Sequence, residues 1–243
     1  MTLNGKRIVL LGGSSGIGLA TAQAAARDGA ELVIASSRQA SLDAALVTLP
    51  AGTRGHVLDL GSEDQIRTFF KDLSRDWGDF DHLVYTAGEN LKLGPIADTD
   101  IQAAQHFWAI RYWGAYMAVK YAGPSIRKTG SIVLTSGLAG QRPHAGWTVA
   151  SSICAAMQGL TRALAVELAP IRVNIVSPGV VRTPLWDNMS ATDREALYRR
   201  MQEVLLLGHV GEPEEIAEAY LYLMRQTYGT GETLTVDGGG ALV

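Results

Sequence analysis

A glycine-rich turn near the N-terminus is the first place where this sequence could hold a charged ligand. The apolar run from Arg7 to Leu11 leads into Gly12, Gly16 and Gly18, and an alanine-rich segment follows. At a strand-to-helix turn, open N–H groups and the positive end of the helix dipole attract an anion. Glycine keeps side chains out of the anion's way. The stretch therefore predicts a site for the pyrophosphate of a dinucleotide; the alternative is a glycine-rich corner without a ligand.

The end of the second apolar run bears on which dinucleotide would bind. It reads Ser36-Ser37-Arg38, with no carboxylate. At this place an acidic residue suits a free ribose 2′-hydroxyl, and a basic residue suits a 2′-phosphate. Arg38 with its neighbouring hydroxyls therefore favours NADP over NAD, unless Arg38 is only a solvated loop residue.

The strands and helices that must position these residues are predicted to alternate along the chain. Strands are predicted at 7–11, 31–36, 54–60, 81–86, 130–136, 171–177 and 233–236. Helices are predicted at 19–28, after Ser62, and at 101–128, 149–169 and 212–226. Such alternation predicts an α/β fold with a doubly wound, seven-stranded parallel sheet and helices on both faces. Ligands of such sheets bind outside the carboxyl ends of the strands, where the turns above converge.

Composition narrows the class of protein. With 243 residues and no internal linker we expect a single domain, 1–243, in which 184–210 forms a helical lid over a substrate. A net charge of −3 argues against a nucleic-acid surface. The sequence contains no run of 18 apolar residues, so we predict no membrane span. No signal peptide is visible, and we expect no metal site. The single cysteine fits a reducing compartment, so a cytoplasmic location is expected.

Several motifs together resemble the short-chain dehydrogenase/reductase family over nearly the full chain. They are the turn at 12–18, Asp59, Ala87-Gly88, Pro178-Gly179 with Thr183, the stretch 162–174, and Val236-Asp237-Gly238-Gly239. Leu11 stands where the family commonly has Thr, and Tyr85-Thr86 where it has Asn-Asn. The resemblance implies a Rossmann-like fold, a nicotinamide cofactor, a small-molecule substrate, and a homodimer or homotetramer formed through the helices at 101–128 and 149–169.

The resemblance also assigns cofactor-binding positions. In the family, an aspartate at the place of Asp59 accepts from the adenine amino group. Asp59 could instead cap the next helix, although Ser62 with Gln65 is the better capping signal. The expected cofactor-binding residues are Gly12, Ser14, Ser15, Gly16, Ile17, Gly18, Ser37, Arg38, Asp59, Leu60, Ala87, Gly88, Pro178, Gly179, Val181 and Thr183.

The catalytic positions depart from the family pattern. The family uses an Asn on the long helix, a Ser after the fifth strand, and a Tyr-x-x-x-Lys on the next helix, whose Tyr moves a proton. Those positions fall on Arg111, Gly137, Ala150 and Cys154. Shifting these family positions by one residue places the serine position on Ser136 but restores neither the Tyr nor the Lys. The one Tyr-x-x-x-Lys string, 116–120, lies on the wrong helix.

Three residues are candidates to replace the missing groups. Arg111 could bind an anionic substrate or the cofactor ribose, Ser136 could hydrogen-bond a substrate oxygen, and the imidazole of His144 could transfer a proton. Each has a plain alternative: a salt-bridged Arg, a strand-end cap, and a solvated loop His. Cys154 is expected to be a small buried residue rather than a thiolate. Tyr85, Trp113 and Trp147 either fill the enlarged pocket or belong to the core.

The sequence thus predicts an NADP(H)-dependent oxidoreductase that transfers hydride to or from a small carbonyl, imine or enone, with a non-standard proton source. Two alternatives stay open. One is a catalytically silent dinucleotide-binding sensor or scaffold, and the other is a non-redox enzyme in the remodelled pocket.

Overall fold

A computed structural model describes residues 2–91 and 93–243. Seven parallel strands form one sheet in the order β3-β2-β1-β4-β5-β6-β7, so the predicted Rossmann-like fold is confirmed. The strands are β1 Arg7–Leu11, β2 Glu31–Ser36, β3 Arg54–Val57, β4 Phe80–Tyr85, β5 Ile126–Thr135, β6 Arg172–Pro178 and β7 Thr233–Val236. The helices are α1 Gly16–Arg27, α2 Gln39–Val47, α3 Glu63–Trp77, α4 Ile101–Trp108, α5 Ala115–Ala122, α6 Thr148–Glu167, α7 Ala191–Val204 and α8 Pro213–Arg225.

Each face of the sheet has its own apolar core because side chains alternate along a strand. In β1, Val9 and Leu11 point into the core shared with α3, α5 and α6. Ile8 and Leu10 point into the core shared with α1, α2 and α8. All four side chains are fully buried. The central strands are apolar on both faces, which is typical of a parallel sheet covered by helices on each side.

The strand order reverses between β1 and β4, and this reversal opens a crevice at the carboxyl ends of the strands. The N–H of Thr86 donates to the carbonyl of Leu11 at 2.9 Å and joins the two strand ends. The turn after β1 and the turn after β4 therefore lie side by side, with the ends of β5 and β6 next to them.

Several predicted boundaries were wrong. Strand β3 ends at Val57 rather than at residue 60, and the helix predicted at 101–128 is three pieces. A π-helical segment, Ala109–Gly114, separates α4 from α5, and a 3-10 turn at Gly123–Ser125 ends the helix before β5 begins at Ile126. Pro124 within that turn has no N–H to continue a helix. The lid region is helical only at Pro184–Trp186 and in α7.

Helix α6 has the length and the apolar composition of a membrane-spanning helix. The sequence did not indicate this, because polar residues interrupt its apolar stretch. In this fold it packs on the sheet through Ile153, Met157 and Leu164, all buried. Core helices of folded domains have the same composition. Across residues 2–91 and 93–243, no cluster of three His, Cys, Asp or Glu side chains could hold a metal ion.

Candidate active site

A cavity of about 450 Å³ lies at the carboxyl ends of the strands. Every residue predicted to bind the cofactor lines it, and so do Arg111, Ser136, Gly137, His144, Ala150 and Cys154. The cavity thus joins the glycine turn to the positions that carry catalysis in the resembling family. Of the three aromatic candidates, Trp147 lines the cavity, Tyr85 is buried behind it, and Trp113 is 54% exposed elsewhere.

The turn after β1 is tightly packed and leaves the start of α1 open. Gly12 and Gly16 have positive φ values of 91° and 48°, which favour glycine. A β-carbon on Gly12 would lie 2.5 Å from the N of Ala87, and one on Gly18 would lie 2.2 Å from the O of Gly12. Ser15 caps α1 without a side-chain hydrogen bond, so the first N–H groups of this helix face the cavity without that competitor. This cradle fits a pyrophosphate.

The end of the cavity that lies beside β2 and β3 is polar. The Ser14 hydroxyl donates to Ser36 Oγ at 2.8 Å, and Arg38 is an exposed residue at the start of α2. Asp59 Oδ1 accepts from the N–H of Gly61 at 2.8 Å. Ser62, as predicted, caps α3 by accepting from the N–H of Gln65. Asp59 therefore turns the loop rather than capping the helix, and it lines the cavity.

The π-helical segment places Arg111 at the opposite end of the cavity. The Tyr85 hydroxyl donates to the carbonyl of Ile110, and Gly114 has no room for a β-carbon, which would lie 2.4 Å from that hydroxyl. Burial raises the pKa of Tyr85, so its hydroxyl stays neutral. Tyr85 is therefore a core residue that holds the helix distortion in place. Such distortions are frequent at functional sites.

The Arg111 guanidinium is enclosed by protein on several sides. Its Cζ lies 4.4 Å from the centre of the Phe107 ring, and a β-carbon on Gly88 would lie 2.6 Å from the same atom. One Nη donates to the carbonyl of Glu89, while the buried Nε has no partner among the described residues. Burial lowers the pKa of Arg111, but a guanidinium stays charged at neutral pH.

The positions of the family's Ser, Tyr and Lys lie close together. A β-carbon on Gly137 would lie 3.2 Å from Cys154 Sγ, and the Ser136 hydroxyl donates to the carbonyl of Cys154 at 2.9 Å. A second cavity of about 30 Å³ is bordered by Ala150, Cys154 and Arg111. Burial raises the pKa of the Cys154 thiol, as expected for an unreactive buried cysteine. Ser136 is engaged as a donor, so its free capacity is that of an acceptor.

His144 lies on the exposed loop after β5. Its ring packs edge-on against Trp147, with centroids 5.7 Å apart. It borders the cavity from the solvent side. This position allows proton exchange with water, and none of the described residues forms a hydrogen bond with the His144 ring that would orient it.

Residues from the segment 184–210 border the cavity beside Trp147, whose ring centroid lies 6.3 Å from that of Trp186. Trp186, Tyr198 and Val210 form a buried cluster, and the Trp186 indole N–H donates to the carbonyl of Val181 at 2.9 Å. Leu185, Trp186, Leu197 and Met201 line the cavity and give it an apolar wall.

Sequence reasoning missed some residues of the site. Arg142 borders the cavity and donates to the carbonyl of Gly240 at 2.7 Å, which ties the loop after β5 to the C-terminal segment. Glu89 and His106 also border the cavity, and His106 Nε2 lies 2.6 Å from Glu89 Oε1. The charge of Arg142 was visible in the sequence, but its partner lies 98 residues away, and no local pattern indicates it.

Comparisons with known proteins agree with the geometry. Residues 12–240 match a protein-family model described as Enoyl-(Acyl carrier protein) reductase. The chain is similar to short-chain dehydrogenase/reductase ucsE of Acremonium sp, with 37% identity over 99% of this chain and 97% of the relative. Short-chain dehydrogenase/reductase ATR9 of Stachybotrys chlorohalonatus is 36% identical over 99% of each chain.

Two solved structures are also similar. A small-chain dehydrogenase in complex with NADPH has 34% identity and a TM-score of 0.83, covering 99% of this chain and 100% of that one. The MalC Reductase/Diels-Alderase from Malbranchea aurantiaca has 31% identity and a TM-score of 0.91, covering 99% of this chain and 98% of that one.

Proposed function

This chain belongs to the short-chain dehydrogenase/reductase family, and we propose that it is an NADP(H)-dependent oxidoreductase acting on a small carbonyl, imine or enone with a non-standard proton source. One observation carries the proposal: a single cavity connects the open start of α1 to a substrate end lined by Arg111, Ala150 and Cys154. The similarity to a dehydrogenase solved with NADPH supports the choice of cofactor.

The residues present fit a dinucleotide. Backbone N–H groups at 16–18 would bind the pyrophosphate, since the start of α1 has no side-chain cap, and the close packing of Gly12 on Ala87 and of Gly18 on the Gly12 carbonyl fixes the shape of the turn. When bound, the cofactor supplies or accepts a hydride. Asp59 would accept a hydrogen bond from the adenine, and Ser37 with Arg38 would bind a 2′-phosphate. No carboxylate follows β2 to compete for that phosphate site.

The substrate end explains why we propose unusual chemistry. The methyl group of Ala150 cannot transfer a proton, and the Cys154 thiol lacks the charge of a lysine ammonium. A positioned general acid contributes about 10² to 10⁴ in rate, or about 3 to 5 kcal/mol of barrier. A neutral ketone would therefore be a poor substrate. An acceptor that is already cationic or strongly polarised requires less proton transfer.

Three side chains remain to assist the reaction. Arg111 would donate hydrogen bonds to a substrate oxygen, because among the described residues its guanidinium donates only to the Glu89 carbonyl while the side chain lines the cavity. Ser136 Oγ would accept from the substrate while donating to Cys154. His144, at the solvent edge, would return protons from water. We place Arg111 first among the three because it is the one that carries a permanent charge and borders both the large cavity and the small cavity beside Ala150.

A catalytically silent dinucleotide sensor is the second candidate. The combination of an intact glycine cradle with Ala150 and Cys154 at the proton-handling positions favours it. Turnover separates the two candidates. We expect steady NADPH oxidation, followed at its near-ultraviolet absorbance, with at least one member of a carbonyl, imine and enone panel. Tight NADPH binding with no oxidation across that panel would contradict the enzyme and support the sensor.

We also propose that the protein forms a homodimer or homotetramer. Helices α4 to α6 and the π-helical segment expose large apolar side chains: Ile101, Trp113, Tyr116 and Val166 are 42 to 82% exposed. Association of two chains would remove such side chains from water. Sedimentation velocity of the wild type and of Trp113→Arg tests this proposal, and we expect the variant to dissociate into smaller species.

A further inference from the structure

The Arg111 side chain is half-buried with a fully buried Nε, and it forms no ion pair with a carboxylate of the described residues, Glu89 being the nearest acidic influence on it. From its surroundings we infer that Arg111 anchors a carboxylate of the substrate, so that the substrate class is a carbonyl, imine or enone bearing a carboxylate group. This inference rests on the proposed function and gives its substrate end a defined charge.

The contacts of the guanidinium leave hydrogen-bonding capacity open. The guanidinium contacts the Phe107 ring, whose centre is 4.4 Å from Cζ, and lies so close to Gly88 that a β-carbon there would be 2.6 Å from Cζ. One Nη donates to the Glu89 carbonyl, and the buried Nε donates to no described residue. The remaining N–H groups form an edge suited to a carboxylate, which accepts two parallel hydrogen bonds from a guanidinium.

A second buried arginine shows how this fold satisfies such a cation elsewhere. Arg172, 8% exposed, donates to the carbonyls of Leu223 and Met224 at the end of α8, at 2.7 and 3.1 Å. The negative end of that helix dipole compensates its charge. Among the described residues, Arg111 has a single carbonyl acceptor and no helix end, which leaves room for a ligand in the cavity to compensate its charge.

The acidic group near Arg111 is engaged elsewhere. The Glu89 carboxylate pairs with His106 at 2.6 Å, toward solvent, while its carbonyl faces Arg111. Burial keeps the Cys154 thiol protonated and neutral. Within the described residues, Arg111 therefore forms no ion pair with a carboxylate. Because Arg111 borders both the large cavity and the small one beside Ala150, an anion bound there would lie at the substrate end.

Calorimetry on the NADPH-loaded full-length chain tests the inference. The probes are benzoate, cinnamate and 2-naphthoate, each paired with its neutral amide. We expect at least one carboxylate to bind tenfold or more tightly than its amide, Arg111→Met to abolish that preference, and Arg111→Lys to retain part of it. Arg182→Met is the matched control: it removes an arginine that already faces Glu195 and Glu212, and it should keep the preference.

Several outcomes would overturn the inference. They are equal binding of acids and amides, no binding of any probe, and a preference that survives in Arg111→Met. Loss of NADPH affinity in Arg111→Met, with the carboxylate preference intact, would assign Arg111 to the cofactor instead. A preference that emerges only in Glu89→Gln would make Glu89 the internal counter-ion. Thermal unfolding of each variant confirms that it is folded.

Failure of this inference is distinguishable from failure of the proposed function. Turnover of neutral substrates without a carboxylate preference would overturn the inference and leave the oxidoreductase standing. A carboxylate preference without NADPH oxidation by any substrate, carboxylated or neutral, would support the inference and overturn the oxidoreductase.

Discussion

Gly137 and Cys154 face each other so closely that a β-carbon on Gly137 would lie 3.2 Å from the cysteine sulfur. The register predicted from the sequence would place the family's serine and lysine at these two positions. Here they border the substrate end of the cavity with neither a hydroxyl nor an ammonium group. The small side chains at both positions, together with Ala150, make this end wider than the family's side chains would.

Restoring the family's residues should restore ordinary ketone reduction. Gly137→Ser, Ala150→Tyr and Cys154→Lys combined would supply a positioned acid and its activating charge, and we expect kcat/KM for a neutral ketone to rise by about 10² or more. The change at residue 154 also removes the sulfur that limits space at residue 137. Steady-state kinetics with NADPH measure the effect. The double variant that keeps Ala150 is the control and should stay slow. A triple variant that folds, binds NADPH and remains inert would show that the aligned register is wrong.

Gly18→Ala should abolish most of the cofactor affinity. The new methyl group would lie 2.2 Å from the Gly12 carbonyl and 2.4 Å from Thr86 Oγ1, so the turn must shift and its N–H groups would leave the pyrophosphate. We expect the Kd for NADPH to rise at least about tenfold, or ~1.4 kcal/mol. Gly52→Ala, which meets nothing within 4 Å, should leave the Kd unchanged. Wild-type affinity in Gly18→Ala would place the dinucleotide elsewhere.

Arg38→Asp should reverse the cofactor preference. A carboxylate after β2 repels a 2′-phosphate and accepts from a free 2′-hydroxyl. We expect NADPH affinity to fall by about tenfold or more, and NADH affinity to hold or rise. Comparing the Kd values for both cofactors in wild type and variant gives the result. An unchanged ratio would mean that Arg38 is only a solvated loop residue.

The contacts of Asp81 allow a prediction about the free energy of unfolding that is independent of the active site. Its carboxylate is 2% exposed and accepts from Lys6 Nζ at 2.9 Å, from the Arg7 N–H at 3.0 Å and from Arg127 at 2.6 Å. Burial opposes its ionisation, but these donors hold its pKa below the ordinary value of 3.8. The stabilisation is therefore present above pH 3.8 and is lost as the pH falls through the folded-state pKa.

Asp81→Asn should accordingly lower the free energy of unfolding by about 1 to 3 kcal/mol at pH 7. Urea unfolding of both proteins at several pH values should show the difference shrinking in acid. Asp79→Asn, an exposed position two residues earlier, should change stability little at any pH. A difference for Asp81→Asn that does not shrink in acid would contradict the assigned ionisation.

The fold was predictable because alternating apolar runs and helical patterns indicate a parallel sheet. The convergence of the cavity residues followed from the rule that ligands bind at the carboxyl ends of such strands. The π-helical segment was not predictable, since apolar periodicity records which face is buried and does not record the hydrogen bond from Tyr85 to Ile110 that accompanies it. The end of α5 was predictable in principle, because Gly123 and Pro124 are adjacent breaker residues.

The contacts of the candidate catalytic residues could be identified only from the three-dimensional structure. The sequence placed Arg111 at a family position, but its contacts with Phe107, Gly88 and the Glu89 carbonyl depend on how the distorted helix packs. The hydrogen bond from Ser136 to Cys154 likewise joins the end of β5 to α6. Side-chain contacts between elements distant in the chain leave no periodic signal in one sequence.

The most direct test of this account is a calorimetric titration of the purified wild-type protein with NADPH and with NADH. The account predicts a single site per chain that binds both dinucleotides, NADPH the more tightly. If the protein bound neither NADPH nor NADH measurably, the account would be contradicted, because every role proposed for the rest of the cavity requires a dinucleotide bound at the start of α1.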